Sequence, residues 1–240
     1  MKIIAVMRTL FSRFMLLVLM VLYAIPFSII LCFPKQWLYK STLFFWLCDI
    51  FYRSLLFFTL LPIKIIGKEN IPQTPAIIAP NHQSSLDIPL IGSLLHAHPH
   101  VWLAKAELMS SPILRFVLPR MAILIDMSTP QKGMRSLIQT IALINGNPLH
   151  VIIFPEGGRY TDGKIHDFFS GFVILAKKTG RPVVPVRIFG LDRAYPPNTF
   201  LVSRVPITVV IGEPMTMQEG EDDDAFKDRV YSWFIAQKED

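Results

Sequence analysis

Two long apolar stretches open the chain, and beyond about residue 61 the pattern changes to short apolar runs alternating with amphipathic segments. Residues 14–33 carry no charge and are long enough to cross a bilayer, with Pro26 expected to kink the helix. Residues 41–61 are nearly as apolar but contain Asp49 and Arg53, whose i, i+4 spacing lets them neutralise each other on one helical face. The alternation that follows is the signature of an α/β domain. The expected division is a membrane-associated helical hairpin over residues 1–62 and an α/β domain over 63–240, closed by an acidic linker and a C-terminal helix.

Within the second part, residues 75–79 read as a strand leading into a turn at His82, residues 86–95 as a helix and 100–103 as a strand. A helical stretch around Glu107 and Leu108 is followed, past Ser111 and Pro112, by another helix expected to end before Pro119. Residues 121–126 read as a strand, after which Thr129 and Pro130 supply a cap and a proline at the first helical position. Met134, Leu137, Ile138, Ile141 and Ile144 form an apolar stripe at helical spacing, closed by Gly146, and read as core. Further strands are expected over 150–154, 182–188 and 207–211, and a helix over 171–178 stopped by Gly180. A last amphipathic helix over 225–237 carries Phe226, Val230, Trp233 and Phe234, and the acidic run 219–224 before it reads as a solvated linker.

Charge sharpens the membrane reading. Apolar residues make up 52% of the chain, above the usual ~45–50%, and the excess lies near the N-terminus. The first run is too long for a cleaved signal peptide, and a second apolar segment follows directly. Lys2, Arg8 and Arg13 precede the first stretch, Lys35 and Lys40 separate the two, and Lys64 and Lys68 follow the second. Positive charge at every junction conflicts with a two-span hairpin but suits one that dips into a single leaflet. Residues 1–212 hold 21 Lys and Arg against 9 Asp and Glu, and the remaining 28 residues hold 3 against 9. A basic body beside anionic membrane lipids, at the cytoplasmic face, with an acidic tail turned away, explains that asymmetry. Nucleic acid is excluded as a partner class, since the basic residues are scattered and form no binding motif. Cys32 and Cys48 lie inside the apolar segments and read as small buried hydrophobes.

The candidate chemistry begins at Asn81-His82-Gln83-Ser84-Ser85-Leu86-Asp87. A histidine and a carboxylate five positions apart lie roughly 140° apart on a continuous helix, so they meet only if His82 sits in the turn and Asp87 in the first helical turn. There Asp87 would fix the imidazole tautomer and raise its basicity. A competing reading is structural: Ser84-x-x-Asp87 resembles a capping box. The second stretch, Phe154-Pro155-Glu156-Gly157-Gly158-Arg159, also follows a buried strand. Ligands of open α/β sheets gather at the carboxyl ends of strands, so both turns are expected to face one crevice. The two glycines allow a concavity of backbone N–H groups and Arg159 adds a bidentate phosphate ligand, although Glu156 and Arg159 pairing to hold the turn is the alternative.

The two stretches together resemble the lysophosphatidic acid acyltransferase family (1-acyl-sn-glycerol-3-phosphate O-acyltransferases) within the glycerolipid acyltransferases. The resemblance runs from about residue 66 to 212, through Ala104-Lys105-Ala106-Glu107-Leu108, Asp162-Gly163-Lys164, Phe169-Ser170-Gly171 and Pro182-Val183-Val184-Pro185-Val186. It implies a mixed central sheet flanked by helices, preceded by an apolar two-helix membrane motif. It implies transfer of a fatty acyl group from acyl-CoA or acyl carrier protein to a lysophospholipid hydroxyl, with no other cofactor and no metal. His82 would be the general base and Asp87 its orienter, with Glu156, Gly157, Gly158, Arg159, Lys105, Asn81, Ser84 and Ser85 on the substrate-binding side.

The departures bear on the acceptor. Where the family's second motif has a glycine and an arginine, this chain has Met121 and Met127, and Gly158 replaces a threonine. One charge-assisted phosphate contact is therefore missing, leaving Arg159, Lys105 and Arg120 to hold a phosphate, or the acceptor is a different lyso-lipid. A lipid or thioester hydrolase using Ser84 or Ser85 lacks the Gly-x-Ser-x-Gly elbow. A metal hydrolase built on His82, Asp87 and Glu156 has one histidine near the motifs, and an inactive membrane adaptor rests on Met127 alone.

Overall fold

The two apolar stretches fold as the helix α1 (Lys2–Leu31), a single turn α2 (Lys35–Leu38) and the helix α3 (Thr42–Thr59) in a computed structural model that describes residues 2–110 and 112–239. The break expected at Ser111 lies outside the described residues. Both long helices are apolar enough to cross a membrane, over Val6–Ile30 and Thr42–Thr59. They pack antiparallel, with Phe11 against Phe58 and Tyr23 and Phe27 against Phe51. Ser41 caps α3 by accepting the N–H of Phe44 at 3.2 Å. Asp49 and Arg53 pair at 2.7 Å as their spacing predicts, and Arg53 also donates to the carbonyl of Ser93 at 2.9 Å. The helix α1 continues five residues past Pro26. Of the two cysteines, Cys48 is buried, but Cys32 is exposed and donates to the carbonyl of Ser28 one turn back.

From there the chain builds β1 (Ile63–Ile66), β2 (Ile77–Pro80), α4 (Asp87–Leu94), β3 (His100–Lys105), α5 (Pro112–Met121), β4 (Ala122–Ile125) and α6 (Pro130–Asn145). It continues with β5 (His150–Ile152), α7 (Gly171–Thr179), β6 (Val183–Phe189), α8 (Leu191–Ala194), β7 (Ile207–Ile211) and α9 (Asp223–Ala236). The seven strands form one sheet in the order β1-β7-β6-β2-β5-β3-β4. Every neighbouring pair is parallel except β6 and β7, so the sheet is mixed. The central strands are buried on both faces, and alternate residues feed two clusters. Ile77, Ala79 and Val183 join Phe172, Phe226, Val230 and Phe234 in one cluster, which also takes in Phe44, Phe45 and Tyr52 of α3. Ile78, Val184, Val186 and Ile188 join Leu90, Ile91 and Leu94 of α4 in the other. Each of these large side chains contributes about 1.5–3 kcal/mol by leaving water. The helices α3 and α4 approach closely because position 92 is glycine: a Cβ there would stand 2.3 Å from the Tyr52 ring.

Three local expectations need correction. The helix α5 runs through Pro119 and ends two residues later, so the proline lies in the last turn, where it costs one bond to the preceding turn, instead of beyond the helix. The inward face of α6 joins Leu137, Ile141 and Ile144 of the apolar stripe to the buried Ser136 and Thr140, while Met134 and Ile138 are 46% and 58% exposed. The two hydroxyls tolerate burial because each donates to the carbonyl four residues back, at 3.0 and 2.9 Å, and Ser136 also accepts the N–H of Asp126. The acidic run is a helix start rather than a linker. Asp222 caps α9 through the N–H of Ala225 at 2.7 Å, and both oxygens of Glu221 bond Arg229 at 2.8 Å.

Candidate functional site

The turn between β2 and α4 holds the first motif. Strand β2 ends at Pro80 and α4 begins at Asp87, so His82 lies in the turn and Asp87 at the first helical position. The imidazole Nδ1 of His82 is 2.6 Å from Oδ2 of Asp87. That oxygen also accepts the main-chain N–H groups of Gln83 at 2.6 Å and Ser84 at 2.8 Å. Asp87 is fully buried, and two main-chain N–H groups donate to Oδ2, so that oxygen is an acceptor and the facing Nδ1 is assigned the proton. Nε2 bonds to no described residue. The ring lies nearly parallel to Phe154, with centroids 3.8 Å apart, so its plane is fixed from below as well as from the side.

Only half of the capping box forms. Asp87 reaches back to the N–H of Ser84, but the Ser84 hydroxyl accepts from Leu86 at 3.2 Å and donates to the carbonyl of Tyr195 at 2.6 Å. Asn81 is 1% exposed, and its amide bonds both the carbonyl and the N–H of Ile188, at 3.1 and 2.6 Å. It ties β2 to β6 beside the turn. Ser85 is exposed.

The second motif follows β5 and meets the first through the backbone. Glu156 is 2% exposed, and one carboxylate oxygen accepts the N–H of His82 at 3.1 Å while the other accepts that of His166 at 2.9 Å. Burial pushes its carboxyl above the ordinary value, opposed by those two N–H groups. The carbonyl of His82 in turn accepts the N–H of Tyr160 at 3.0 Å. Gly157 adopts φ +63°, and a Cβ there would meet the Phe169 ring at 2.6 Å. The N–H groups of Gly158 and Arg159 bond to no described residue. The exposed guanidinium of Arg159 does not pair with Glu156, whose oxygens are already taken.

The remaining candidates lie further along the sheet edge. Lys105 is exposed at the end of β3, in register with Ile125 of β4. Arg120 donates to the carbonyl of Phe33 at 3.3 Å. Met127 is 47% exposed, next to Asp126, which pairs with Lys132 at 3.2 Å. Among the described residues no three metal-ligating side chains stand close enough to hold an ion. Three neighbours of the site had no role assigned from sequence. Phe154 stood in the quoted motif without a function, whereas Tyr195 and Arg187 are brought in only by the strand order and had no linear signal.

The fold and this paired-turn arrangement define a class. A family model described as Acyltransferase matches residues 62–189, more than half of the chain, and the chain belongs to that family. It is 34% identical over 160 residues, 66% of this chain and 56% of the relative, to a 1-acyl-sn-glycerol-3-phosphate acyltransferase of Limnanthes douglasii. It is 30% identical over 159 residues, 66% of this chain and 60% of the relative, to one of Pseudomonas aeruginosa. The chain spans about half the length of the first curated relatives it matches. The crystal structure of the 1-acyl-sn-glycerophosphate (LPA) acyltransferase PlsC from Thermotoga maritima shares the fold, with a TM-score of 0.78 at 24% identity, over 98% of this chain and 95% of that one.

Proposed function

We propose that this protein transfers a fatty acyl group from an acyl thioester, acyl-CoA or acyl carrier protein, to the free hydroxyl of 1-acylglycerol-3-phosphate, giving phosphatidic acid. The observation that carries the reading is the 2.6 Å contact between His82 Nδ1 and Asp87 Oδ2, which leaves Nε2 unpaired in a turn at the carboxyl end of β2. The names of the relatives supply the substrate class.

In this scheme Nε2 of His82 takes the proton of the lipid hydroxyl as its oxygen attacks the thioester carbonyl. Asp87 keeps the imidazole in the tautomer that can do so and offsets the imidazolium charge. The tetrahedral intermediate collapses, the carbon–sulfur bond breaks, and the thiolate takes the proton back from His82. A thiol with a pKa near about 8.5 is a good leaving group and needs little further acid. Arg159 and Lys105 offer exposed cations for the acceptor phosphate, and the N–H groups of Gly158 and Arg159 offer donors for an anion beside the turn. Asn81, Ser84 and Glu156 spend their polar atoms on main chain and are assigned to positioning the two turns.

The hairpin α1–α3 is assigned to one leaflet of a membrane, at the cytoplasmic face, with anionic lipids against the basic surface. Arg8 and Arg13 favour this over a full span for the first helix. Both bond the segment 195–202 of the α/β domain at the start of α1, and past its end Arg120 donates to the carbonyl of Phe33, so both ends of the helix lie beside that domain. A second reading, a different lyso-lipid acceptor, is favoured by Met127 standing where the family carries arginine.

The experiment is a panel of lysophospholipids of different head group with one long-chain acyl-CoA, run on the wild type, His82→Ala and Met127→Arg. Transfer to lysophosphatidate that is lost in His82→Ala supports the proposal, and near-normal transfer by that variant overturns it. A sharp gain for lysophosphatidate in Met127→Arg moves the acceptor to the second reading.

A further inference from the structure

A cavity of about 460 Å³ opens between the loop at Gly163, the end of β6 and the last turn of α9, and Arg187 lies in its wall. Arg187 is 5% exposed. A guanidinium has five N–H donors, yet the contacts of this one are a single long bond from Nη2 to the carbonyl of Gly163 at 3.3 Å and the face of the Phe189 ring at 4.8 Å. Nε and Nη1 are buried and bond to no described residue. A buried cation of this kind is costly unless an anion with hydrogen-bond acceptors stands against it.

Three described carboxylates, Glu156, Asp192 and Glu239, act on Arg187 through space, but none accepts a hydrogen bond from it. Glu156 attracts Arg187 through space, but both its oxygens are held by the N–H groups of His82 and His166. Glu239 lines the cavity, attracts Arg187 through space and forms its ion pair with Arg193. Asp192 also attracts Arg187 through space but forms no ion pair with it. On the rim stands Lys164, exposed and paired with no described carboxylate. The wall thus holds the guanidinium of Arg187, with Nε and Nη1 buried behind its surface, a free ammonium, and the apolar surfaces of Phe189 and Phe234.

We propose that this cavity binds a phosphate group of one of the two substrates, held by Arg187 in the wall and Lys164 at the rim. The proposal rests on the acyl-transfer reading for the choice of ligand. Fork geometry suits a guanidinium to phosphate oxygens, and the ammonium adds a point charge. Two sources carry the same chemistry: the nucleotide phosphates of a coenzyme A donor, for which no other cations have been assigned, and the head group of the acceptor, which would then sit here in place of the Arg159 and Lys105 side. The cavity lining ends at Ile165, next to His166, whose N–H Glu156 holds with one oxygen while the other holds that of His82, so the lining is tied to the His82 turn through that carboxylate.

The test measures equilibrium binding to the full chain in detergent micelles, with coenzyme A, pantetheine, lysophosphatidate and monoacylglycerol as probes. The variants are Lys164→Ala, Arg187→Gln and Arg187→Lys, each checked by thermal unfolding. The expected result is a rise of about tenfold or more in Kd for one phosphate-bearing probe in Arg187→Gln and a smaller rise in Lys164→Ala. Its phosphate-free counterpart is expected to be unaffected. Weakened coenzyme A binding assigns the cavity to the donor, and weakened lysophosphatidate binding to the acceptor.

Folded variants that bind all four probes within twofold of wild type overturn the proposal. So does a pattern in which Arg187→Gln lowers stability and weakens every probe equally while Lys164→Ala changes nothing, since Arg187 would then only offset Glu156. Because the readout is binding, an Arg187-dependent Kd in a chain that transfers no acyl group sinks the functional reading and leaves this one standing.

Discussion

The buried carboxylate of Glu156 accepts the main-chain N–H of His82 at 3.1 Å, joining two turns that lie 74 positions apart in sequence. Its other oxygen holds His166, so one side chain sets the height of the His82 turn and anchors the loop beyond it. The imidazole is thereby located by three constraints: Glu156 at its backbone, Asp87 at Nδ1 and Phe154 beneath the ring.

Glu156→Ala leaves two buried N–H groups without acceptors, each worth about 1–3 kcal/mol. The expected outcome is a drop of roughly 2–5 kcal/mol in unfolding free energy and a large fall in kcat, read by denaturant titration and acyl-transfer assay. Glu156→Gln is expected to be milder, because one amide oxygen still accepts while its NH2 faces a donor.

Asp87→Asn retains an oxygen where Oδ2 stands but removes the charge that opposes the imidazolium. A fall of about 10²–10⁴ in kcat is expected, with KM for the acceptor little changed. Equal losses in kcat and in affinity would mean that the change had displaced the turn itself.

Gly157→Ala places a Cβ 2.6 Å from the Phe169 ring on a backbone at φ +63°. The left-handed conformation alone costs about 1–2 kcal/mol for a side-chain-bearing residue, and the ring must also move. A lower melting temperature is expected, together with reduced activity. The double variant with Phe169→Ala should recover part of the stability, which a thermal shift series would show.

The other end of the sheet governs acid stability. Burial pushes His100 down to about 4, and burial reinforced by His98, His100 and Arg181 pushes His150 to about 4 as well. His150 also accepts the N–H of Ala76 at Nδ1, a bond that protonation there would break. With folded values below the unfolded value near about 6.5, the unfolded chain binds more protons in between. Stability is therefore complete above about pH 6.5 and is lost as pH falls toward 4, by roughly 1–3 kcal/mol for each histidine. His150→Gln should flatten that part of the stability profile, as measured by melting temperature against pH.

Much of this architecture was legible in one dimension because its signals are local. The period of apolar residues marked α3, α7 and β7 nearly to the residue, and the αL glycine at position 180 stopped α7 where expected. The five-residue spacing of His82 and Asp87 required a turn followed by a helix start, and Asp87 is the first residue of α4. The inward face of α6 was legible in part, since Leu137, Ile141 and Ile144 of the apolar stripe meet the core. Ser136 and Thr140 cancel their own polarity by bonding the preceding turn, so hydrophobicity alone pointed to Met134 and Ile138 instead.

Sequence by itself determined the membrane-like hairpin, the α/β alternation and the two motifs, since each depends on residues within a few turns of one another. Only the tertiary structure decided what Glu156 holds, which ring lies under His82, and that Arg187 stands buried with donors unspent. Those relationships arise where β6, β2 and β5 lie side by side in the sheet, an order set by long-range pairing that leaves no trace in local periodicity.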